Sequence, residues 1–295
     1  MNLTEEQIET WAKAPSETED ARCTNAISQT TNALRAHFGN SVTFIRQGSH
    51  TNRTNIRVDS DVDLAVVHNG YYFPDTTFLS AADKALHGAS FSPATYTFFQ
   101  YKSEVEAILR ATFGTNSVER KAKCLRVAGN TNRTPIDIVP AFEHHRLSAP
   151  HVVSAKGIEF LADSGPQVYS FPEQHYQNGV TKNDNTSRTF KSMVRILKRT
   201  RGRLAELGLI EQDAMPSFML ECLVWNVPNP TFRQATWRDI AAEVTAKIWN
   251  DMQNPEVANN YAEVCDLRWL FRGNPRHTPA QVEAFMLQAW RLITQ

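Results

Sequence analysis

Three aspartates in this chain have the spacing and the sequence context of a divalent-cation site. Asp61 and Asp63 begin the apolar stretch DVDLAVV, and Asp137 lies within PIDIV. Both stretches are predicted strands, and because side chains alternate faces along a strand, Asp61 and Asp63 project to the same side. Carboxylates on one sheet face repel each other unless a cation lies between them. Hard oxygen ligands favour Mg²⁺ or Mn²⁺, and such sites usually handle phosphates.

The dipeptide Gly48-Ser49 precedes these aspartates and suits a phosphate. It follows a predicted strand at 42–47, and eleven residues separate Ser49 from Asp61. Glycine lets the backbone approach a ligand closely, and the amide and hydroxyl of Ser49 can hold a terminal phosphate. Gly-Ser alone is usually an ordinary turn, and Asp-x-Asp alone is usually a solvated strand end. Their combination with a distant third aspartate favours metal-dependent phosphate chemistry.

A predicted helix beginning at 188 carries basic residues on one face. Residues 186–204 contain no Asp or Glu, so no acidic neighbour at i,i+4 relieves the repulsion among them. A charged helix face is usually only solvated, but the missing acids favour an anion as its partner. The basic residues that fall within one arc of about 100° are Arg188, Lys191, Arg195, Lys198 and Arg199.

These features together resemble a known family. Gly-Ser, then Asp-x-Asp, then a distant strand aspartate is similar to the signature of DNA polymerase β-like nucleotidyltransferases. Three segments make the chain resemble, more narrowly, the bacterial CD-NTases, relatives of animal cyclic GMP-AMP synthase and oligoadenylate synthase. The resemblance spans residues 5–290 and is greatest for the branch whose cyclic dinucleotides include pyrimidine-containing ones. The three segments are QGSHTNRTNIRVDSDVDLAVV, HYQNGVTKNDNTSRTFKSMVRILKR and MPSFMLECLVWNVPNPTF.

The resemblance implies nucleotidyl transfer assisted by two Mg²⁺ or Mn²⁺ ions. Asp61 and Asp63 would hold the metal bound to the triphosphate, and together with Asp137 they would hold the second metal, which activates the attacking ribose hydroxyl. Pyrophosphate would leave in line from the α-phosphate. The implied product is a cyclic dinucleotide with 3′–5′ linkages, an antiphage second messenger that activates a separate effector protein.

The resemblance also implies nucleotide contacts outside the aspartates. Phe218 would stack on a base, although packing in the core is an equal alternative for this ring. Ser217 would contact the nucleotide phosphates, although it also suits the start of a helix. The implied phosphate contacts are Gln47, Gly48, Ser49, Lys198 and Ser217.

Base choice is expected to depend on Ser170. In the branch that the chain resembles, asparagine at the matching position goes with uracil recognition. An Asn amide offers a donor and an acceptor to a pyrimidine edge, whereas a serine hydroxyl is shorter and leaves more room. We therefore expect purine substrates, with ATP as the main one, GTP or UTP as further candidates, and cyclic di-AMP or a mixed adenine dinucleotide as product. The alternative is that Ser170 is a linker residue without a ligand contact.

The predicted fold class is α+β: a polymerase β-like nucleotidyltransferase core with a mixed sheet at 1–150, and a mostly helical lobe at 151–295. The active site is expected in the cleft between them. Residues 147–182 contain three prolines and are predicted to be a linker with a short strand at 167–171. The predicted helices are 4–13, 17–38, 101–113, 186–206, 216–226, 233–251, 255–264 and 279–292, and the predicted strands are 42–47, 61–67, 117–128 and the segment around Asp137.

Composition narrows the class of protein further. The 295 residues include 31 basic and 31 acidic side chains, so the bulk charge does not indicate a long nucleic-acid partner. No apolar run approaches membrane-spanning length and the N-terminus lacks a signal pattern, so a soluble, cytoplasmic monomer is expected. The four scattered cysteines fit a reducing compartment and, with the histidines, do not have zinc spacing.

Two other functional classes fit part of the pattern. A nucleotidyltransferase that modifies an antibiotic, a protein or an RNA end would use the same three aspartates, so only the helical-lobe segments discriminate against it. A catalytically inactive binding protein is the second. The intact carboxylate trio argues against it, because an unused cluster retains its repulsion without benefit.

Overall fold

The computed structural model describes residues 3–14, 17–56, 62–91, 94–165, 167–273 and 277–295. Within this part of the chain the strands are Val42–Gln47 (β1), Val62–Asp75 (β2), Val118–Arg120 (β3), Leu125–Val127 (β4), Ile136–Ala149 (β5), Val152–Leu161 (β6) and Gln167–Ser170 (β7). The helices are Glu5–Ala12 (α1), Glu17–Phe38 (α2), Gly48–Thr51 (α3), Ala81–Gly88 (α4), Phe98–Phe113 (α5), Pro172–Asn185 (α6), Thr189–Glu206 (α7), Ser217–Asn226 (α8), Trp237–Met252 (α9), Pro255–Ala258 (α10) and Pro279–Thr294 (α11).

All seven of these strands belong to one mixed sheet. β2 and β5 run parallel at its centre, β1 pairs antiparallel with β2, and β4 and β6 pair with successive parts of β5. The centre is apolar on both faces, since β2 buries Val66 on one face and Ala65 and Val67 on the other. Parallel strands covered on both faces have such continuous apolar runs. Helices α2 and α5 contribute Leu34 and Tyr101 to this core.

The described chain forms two compact units, each with its own core. The sheet unit comprises residues 16–50 and 59–173, and the helical unit comprises residues 1–15, 51–58 and 174–295. The predicted division at 150/151 is therefore different from the observed one. The N-terminal helix α1 belongs to the helical unit because Ile8 and Ala12 pack into its core with residues of α7 and α9. A mixed sheet followed by a helical C-terminal part is confirmed.

The prediction of a linker at 147–182 is wrong, although the short strand expected within it at 167–171 is confirmed by β7. β5 continues to Ala149, and β6, β7 and α6 fill most of the remaining stretch. Its prolines mark a turn and a helix start rather than a loop: Pro150 lies in the turn between β5 and β6, and Pro172 is the first residue of α6, where a missing backbone N–H costs little. Pro166 lies outside the described residues.

Most of the other predicted elements are confirmed, with changes at their ends. The capping box of Thr4 with Gln7 begins α1, and α2 and β1 have the predicted bounds. Helix α4 was not predicted, and the predicted helix at 255–264 is only four residues long, Pro255–Ala258. No helix among the described residues combines the length and the apolar character that crossing a membrane requires.

The β6–β7 hairpin provides a test of this architecture at Gly157. A Cβ placed there would lie 2.3 Å from the Ser170 carbonyl oxygen, whereas a Cβ at Gly202 in α7 would meet nothing within 4 Å. Gly157→Ala should therefore lower the free energy of unfolding by about 1–3 kcal/mol through overpacking. Gly202→Ala should raise it by about 0.5–1 kcal/mol, because alanine favours a helix interior. Urea denaturation of both variants measures the two changes, and a stable Gly157→Ala protein would contradict the observed hairpin.

Candidate active site

Asp63 and Asp137 lie side by side at the centre of the sheet. They are register partners in the parallel pair of β2 and β5, so their side chains leave the same face of adjacent strands. Both residues are half-buried, while the residues on either side of each are fully buried. The predicted placement of these two carboxylates on one face is confirmed. Asp61, the third predicted ligand, lies outside the described residues.

Gly48 packs directly against the carboxylate of Asp63. Its φ of +75° is in the left-handed region, and a Cβ built on it would lie 1.9 Å from Asp63 Oδ2. Gln47 at the end of β1 is the register partner of Asp63 on the adjacent strand. Only glycine fits this position, because any other residue would strain the backbone and displace the carboxylate. The structure thus brings Gln47, Gly48 and Ser49 to the end of the sheet that carries the aspartates.

Two residues beside Asp137 were not identified from the sequence. Arg126 is the register partner of Asp137 on β4, and its Nη1 lies 3.7 Å from Asp137 Oδ1. Burial, together with the negative charges of Asp137 and Asp63, raises the pKa of the Cys124 thiol to about 11. No sequence signal identifies these neighbours, because only the pairing of β4 with β5 places them there.

The donor set at this position suits a hard divalent cation. Two carboxylates on adjacent strands offer the oxygen ligands that such a cation prefers, and their mutual repulsion favours a positive charge between them. Among the described residues, which do not include Asp61, no three histidine, cysteine, aspartate or glutamate side chains form a metal cluster. The fit therefore rests on Asp63 and Asp137.

In the helical unit, Lys198 is buried and bonded to the protein itself. Its side chain is 2% exposed, and its Nζ donates to the Thr54 carbonyl oxygen at 2.9 Å and to the Thr54 hydroxyl at 3.2 Å. Burial is the main cause that lowers the pKa of Lys198 to about 8. A phosphate contact by this lysine remains a prediction, and in this structure Thr54 takes the hydrogen bonds that a phosphate would receive.

The predicted cationic stripe on α7 is not an open anion-binding face, and that prediction is corrected. Arg195 donates to the Ala12 carbonyl at 2.8 Å, and Arg199 donates to the Thr10 carbonyl at 2.9 Å. The last carbonyls of a helix have no partners within it, and here the C-terminal end of α1 accepts from arginines of α7. These arginines need no acidic neighbours on α7, because backbone carbonyls of α1 accept their hydrogen bonds. Arg188 is the only exposed member of the five among the described residues.

Glu221 connects this lysine to the rest of the helical unit. It is a buried carboxylate on α8 that accepts hydrogen bonds from Thr54 Oγ1 and His175 Nε2, each at 3.0 Å. Burial acts to raise its pKa, but the hydrogen bond and charge of His175 and the charge of Lys198 lower the pKa below the ordinary value. We call Lys198, Thr54, Glu221 and His175 the buried polar network. A lone glutamate in the apolar helix sequence FMLECLVW is the signal that could have indicated it.

Ser217 and Phe218 begin helix α8 at the edge of this network. Arg201 Nη1 lies 3.3 Å from the Ser217 hydroxyl, and Pro216 rather than Ser217 is the N-cap residue of α8. The Phe218 ring is 47% exposed, so the alternative of core packing for this residue is wrong. One side of the ring approaches His175, with ring centroids 5.7 Å apart at an interplanar angle of 31°. An exposed aromatic ring with a fixed neighbour remains suited to stacking.

Ser170 is the last residue of β7 and pairs with Ile158 on β6. It is half-buried in the sheet unit, so the alternative that it is a linker residue is wrong. The preceding Tyr169 stacks on His144, with ring centroids 4.6 Å apart and planes 5° from parallel. His144 Nδ1 in turn lies 2.6 Å from Glu159 Oε2, which holds β5 and β6 together beside β7. The contact of Ser170 with a base remains a prediction.

Comparison with known proteins identifies close relatives over the whole chain. A family model described as the cGAS/DncV-like nucleotidyltransferase C-terminal helical domain matches residues 177–294. A cyclic dipurine nucleotide synthase from Elizabethkingia meningoseptica is 43% identical over 99% of both chains. A cyclic dipyrimidine nucleotide synthase from Cecembia lonarensis is 32% identical over 97% of both chains. The solved structure of the Elizabethkingia meningoseptica CdnE cyclic dinucleotide synthase with GTP and Apcpp has a TM-score of 0.84 at 40% identity, and the alignment covers 100% of each chain.

The burial of Lys198 predicts a pH-dependent stability. Its folded pKa of about 8 lies below the ordinary 10.5, so between these values the unfolded chain binds a proton that the folded chain does not. The free energy of unfolding should therefore rise with pH in this window, by about 2 kcal/mol between pH 7 and pH 10 relative to Lys198→Met. Urea denaturation at both pH values measures the difference. Lys13→Met, at an exposed lysine, is the control: it keeps Lys198, so its stability should change with pH in the same way as that of the wild type. Parallel stability profiles for wild type and Lys198→Met would contradict the prediction.

Proposed function

The chain belongs to the cGAS/DncV-like nucleotidyltransferases, and on that premise we propose that it joins two nucleoside triphosphates into a cyclic dinucleotide and releases pyrophosphate. The observation that carries the proposal is the pairing of Asp63 with Asp137 beside Gly48, in a chain that is similar over its whole length to cyclic nucleotide synthases. In each of two rounds a ribose hydroxyl oxygen forms a bond to an α-phosphorus, and the bond from that phosphorus to the β-phosphate bridge breaks.

We propose Mg²⁺ or Mn²⁺ as the cofactor, with two ions per site. Asp61, Asp63 and Asp137 would be the ligands of these ions, and the adjacent carboxylates of Asp63 on β2 and Asp137 on β5 support this assignment. When bound, such ions neutralise the triphosphate and lower the pKa of the attacking hydroxyl. The chain's own contribution is to keep the two carboxylates at a fixed separation, since both strands are buried on either side of them.

Three further groups of residues would bind and orient the nucleotides. At Gly48 the backbone can approach the phosphates closely because glycine has no side chain of its own, and the amide and hydroxyl of Ser49 would donate to phosphate oxygens. Lys198 would exchange its bonds to Thr54 for bonds to phosphate oxygens, and Ser217 would donate its hydroxyl. Phe218 would offer its exposed ring to a base.

The product is proposed to be adenine-containing and 3′–5′ linked, with ATP as the main substrate. A serine at 170 on β7, and the dipurine product named for the Elizabethkingia relative, support purine use. We further propose that the protein acts as a cytoplasmic monomer, and that its product is an antiphage second messenger recognised by a separate effector protein.

One product analysis tests the proposed function. The protein is incubated with ATP, GTP, CTP and UTP, singly and in pairs, with Mg²⁺ or Mn²⁺, and the products are identified by mass spectrometry. We expect a linear dinucleotide intermediate followed by a cyclic dinucleotide. Transfer of a nucleotide only to a non-nucleotide acceptor, with no dinucleotide from any pair, would support the rival class that modifies another molecule.

Loss of either central carboxylate should abolish catalysis without unfolding the sheet. Asp63→Asn and Asp137→Asn each remove a negative charge from a pair that repels itself in the absence of a cation, so stability should be kept or improved. Pyrophosphate release should fall to background in both variants, and also in Asp61→Asn with Asp63→Asn. Asp213→Asn, at an exposed loop position, is the matched control. Release at the wild-type rate by either single variant would remove that residue from the metal-binding set.

The close packing of Gly48 against Asp63 generates a separate prediction. Gly48→Ala should reduce the rate of pyrophosphate release by about 100-fold, because the new Cβ displaces the carboxylate by an ångström or more. Gly39→Ala is the matched control, since Gly39 also has a positive φ, of +56°, but nothing lies within 4 Å of its Cβ position. Equal activity losses in the two variants would show that backbone strain, rather than the displaced carboxylate, causes the effect.

A further inference from the structure

A cavity of about 340 Å³ lies within the helical unit, between the first turn of α8 and the loop formed by residues 261–270. It is lined by Phe218 and Met219 from the helix and by Glu263, Arg268 and Trp269 from the loop. Its volume is in the range of small-ligand sites. The lining combines aromatic rings with one acid and two guanidinium groups, those of Arg268 and Arg272, and it also includes His277. Stacking surfaces beside charged donors and acceptors are the chemistry that recognises a flat heterocycle.

The 261–270 loop is held rigidly against the helices behind it. Asn226 on α8 donates to the Ala262 carbonyl at 2.8 Å and accepts from the Ala262 amide at 3.0 Å. Within the loop, the Glu263 amide donates to the Arg268 carbonyl at 2.8 Å. Asn178 on α6 also donates to the Val264 carbonyl, at 2.8 Å. The side chains that the loop directs into the cavity therefore start from a fixed backbone, as a specific binding site requires.

Two aromatic rings at the cavity are exposed on one side and supported on the other. Trp269 is 46% exposed, and the guanidinium of Arg272 lies 4.0 Å from its ring centroid. Phe218 is 47% exposed and approaches His175. Large exposed aromatic rings whose orientation is fixed by neighbours are suited to stacking on a base, and any base offers the required face.

Glu263 contributes a carboxylate to this cavity. Its side chain is 14% exposed, and Oε1 lies 3.6 Å from Arg268 Nε. Oε2 lies 3.7 Å from Cys265 Sγ. The contact with Arg268 is longer than a normal hydrogen bond, so the acid retains capacity to accept from a ligand. Burial raises the pKa of Glu263, which a ligand with N–H donors would counteract.

We propose that this cavity reads a guanine base, with Glu263 accepting from the two adjacent N–H groups of its Watson–Crick edge and Arg268 donating to the neighbouring O6. An ionised carboxylate only accepts and a guanidinium only donates, so the pair presents the complement of guanine's donor–donor–acceptor order. Hypoxanthine lacks the N2 amino group and can make only two of these three bonds, whereas adenine presents a donor at N6 and an acceptor at N1 and can make none of them. Trp269 and Phe218 provide the stacking surfaces. The inference rests on the proposed function and specifies it, since GTP becomes one of the two substrates and the product pairs guanine with adenine.

The direct test is binding of non-hydrolysable analogues of GTP, ITP and ATP to the full chain, measured by calorimetry. We expect the GTP analogue to bind this cavity most tightly, the ITP analogue more weakly and the ATP analogue most weakly. Glu263→Gln should weaken GTP binding by about tenfold and leave ATP binding unchanged. Glu243→Gln, at an exposed position on α9, is the matched control. An equal effect of Glu263→Gln on both analogues, or no effect, would overturn the inference.

A second variant keeps the inference testable if Glu263→Gln does not fold. Arg268→Met should weaken binding of the GTP and ITP analogues, which share O6, and spare the ATP analogue. Loss of affinity for all three would indicate a structural role and overturn the assignment of Arg268.

Product analysis separates this inference from the proposed function. From equimolar ATP and GTP the wild type should release a mixed dinucleotide, and Glu263→Gln should shift the products toward adenine. If wild type and variant form the same products in the same ratio, the guanine assignment fails while the proposed function stands. If the wild type forms no dinucleotide but its selective GTP binding is lost in Glu263→Gln, the proposed function fails while the guanine site stands.

Discussion

The parallel register between β2 and β5 is the constraint on which the candidate active site depends. Because side chains alternate along a strand, a slip of one residue would place Asp63 opposite Ile136 or Ile138 and turn its charge toward the core. Val62, Leu64 and these two isoleucines are fully buried, so the hydrophobic core strongly disfavours such a slip. Apolar packing thus determines the separation of the two carboxylates, and the charges contribute little to the fold that holds them.

In the helical unit, by contrast, buried charged side chains and their hydrogen bonds hold backbone segments in place. Lys198 and Glu221 are both nearly inaccessible, and Thr54 bridges them by accepting from one and donating to the other. Removing one member of such a pair leaves the other uncompensated, which typically costs about 3–5 kcal/mol. The segment around Thr54 lies between Gly48-Ser49 and the aspartates in the chain and is anchored in the helical unit. The same network supports Phe218 through His175, so it connects a proposed phosphate contact with a proposed base contact.

Sequence reasoning was most successful where the relevant physics is local. Alternation along a strand placed Asp63 and Asp137 on a common face. The sequence predicted a close approach of Gly48 to a phosphate, and the structure shows that the Asp63 carboxylate also packs against this glycine. Helix caps and apolar periodicity identified α1, α2 and most of the C-terminal helices within a few residues. The family resemblance, carried by three segments, is confirmed by relatives that match nearly the entire chain. Prolines misled the interpretation of 147–182, because the same residue marks a loop, a hairpin turn or a helix start.

The sequence by itself therefore determined the family, the combination of a mixed sheet with a helical C-terminal part, and the common face of Asp63 and Asp137. Only the tertiary structure decided which partners meet these residues. Lys198 bonds Thr54, which is 144 positions away, and the arginines of α7 bond carbonyls of α1 rather than a solvated anion. Cross-strand register likewise places Arg126 beside Asp137. The physical reason is that propensity and periodicity act over a few residues, whereas hydrogen-bond partners and exposure depend on which distant segments pack together.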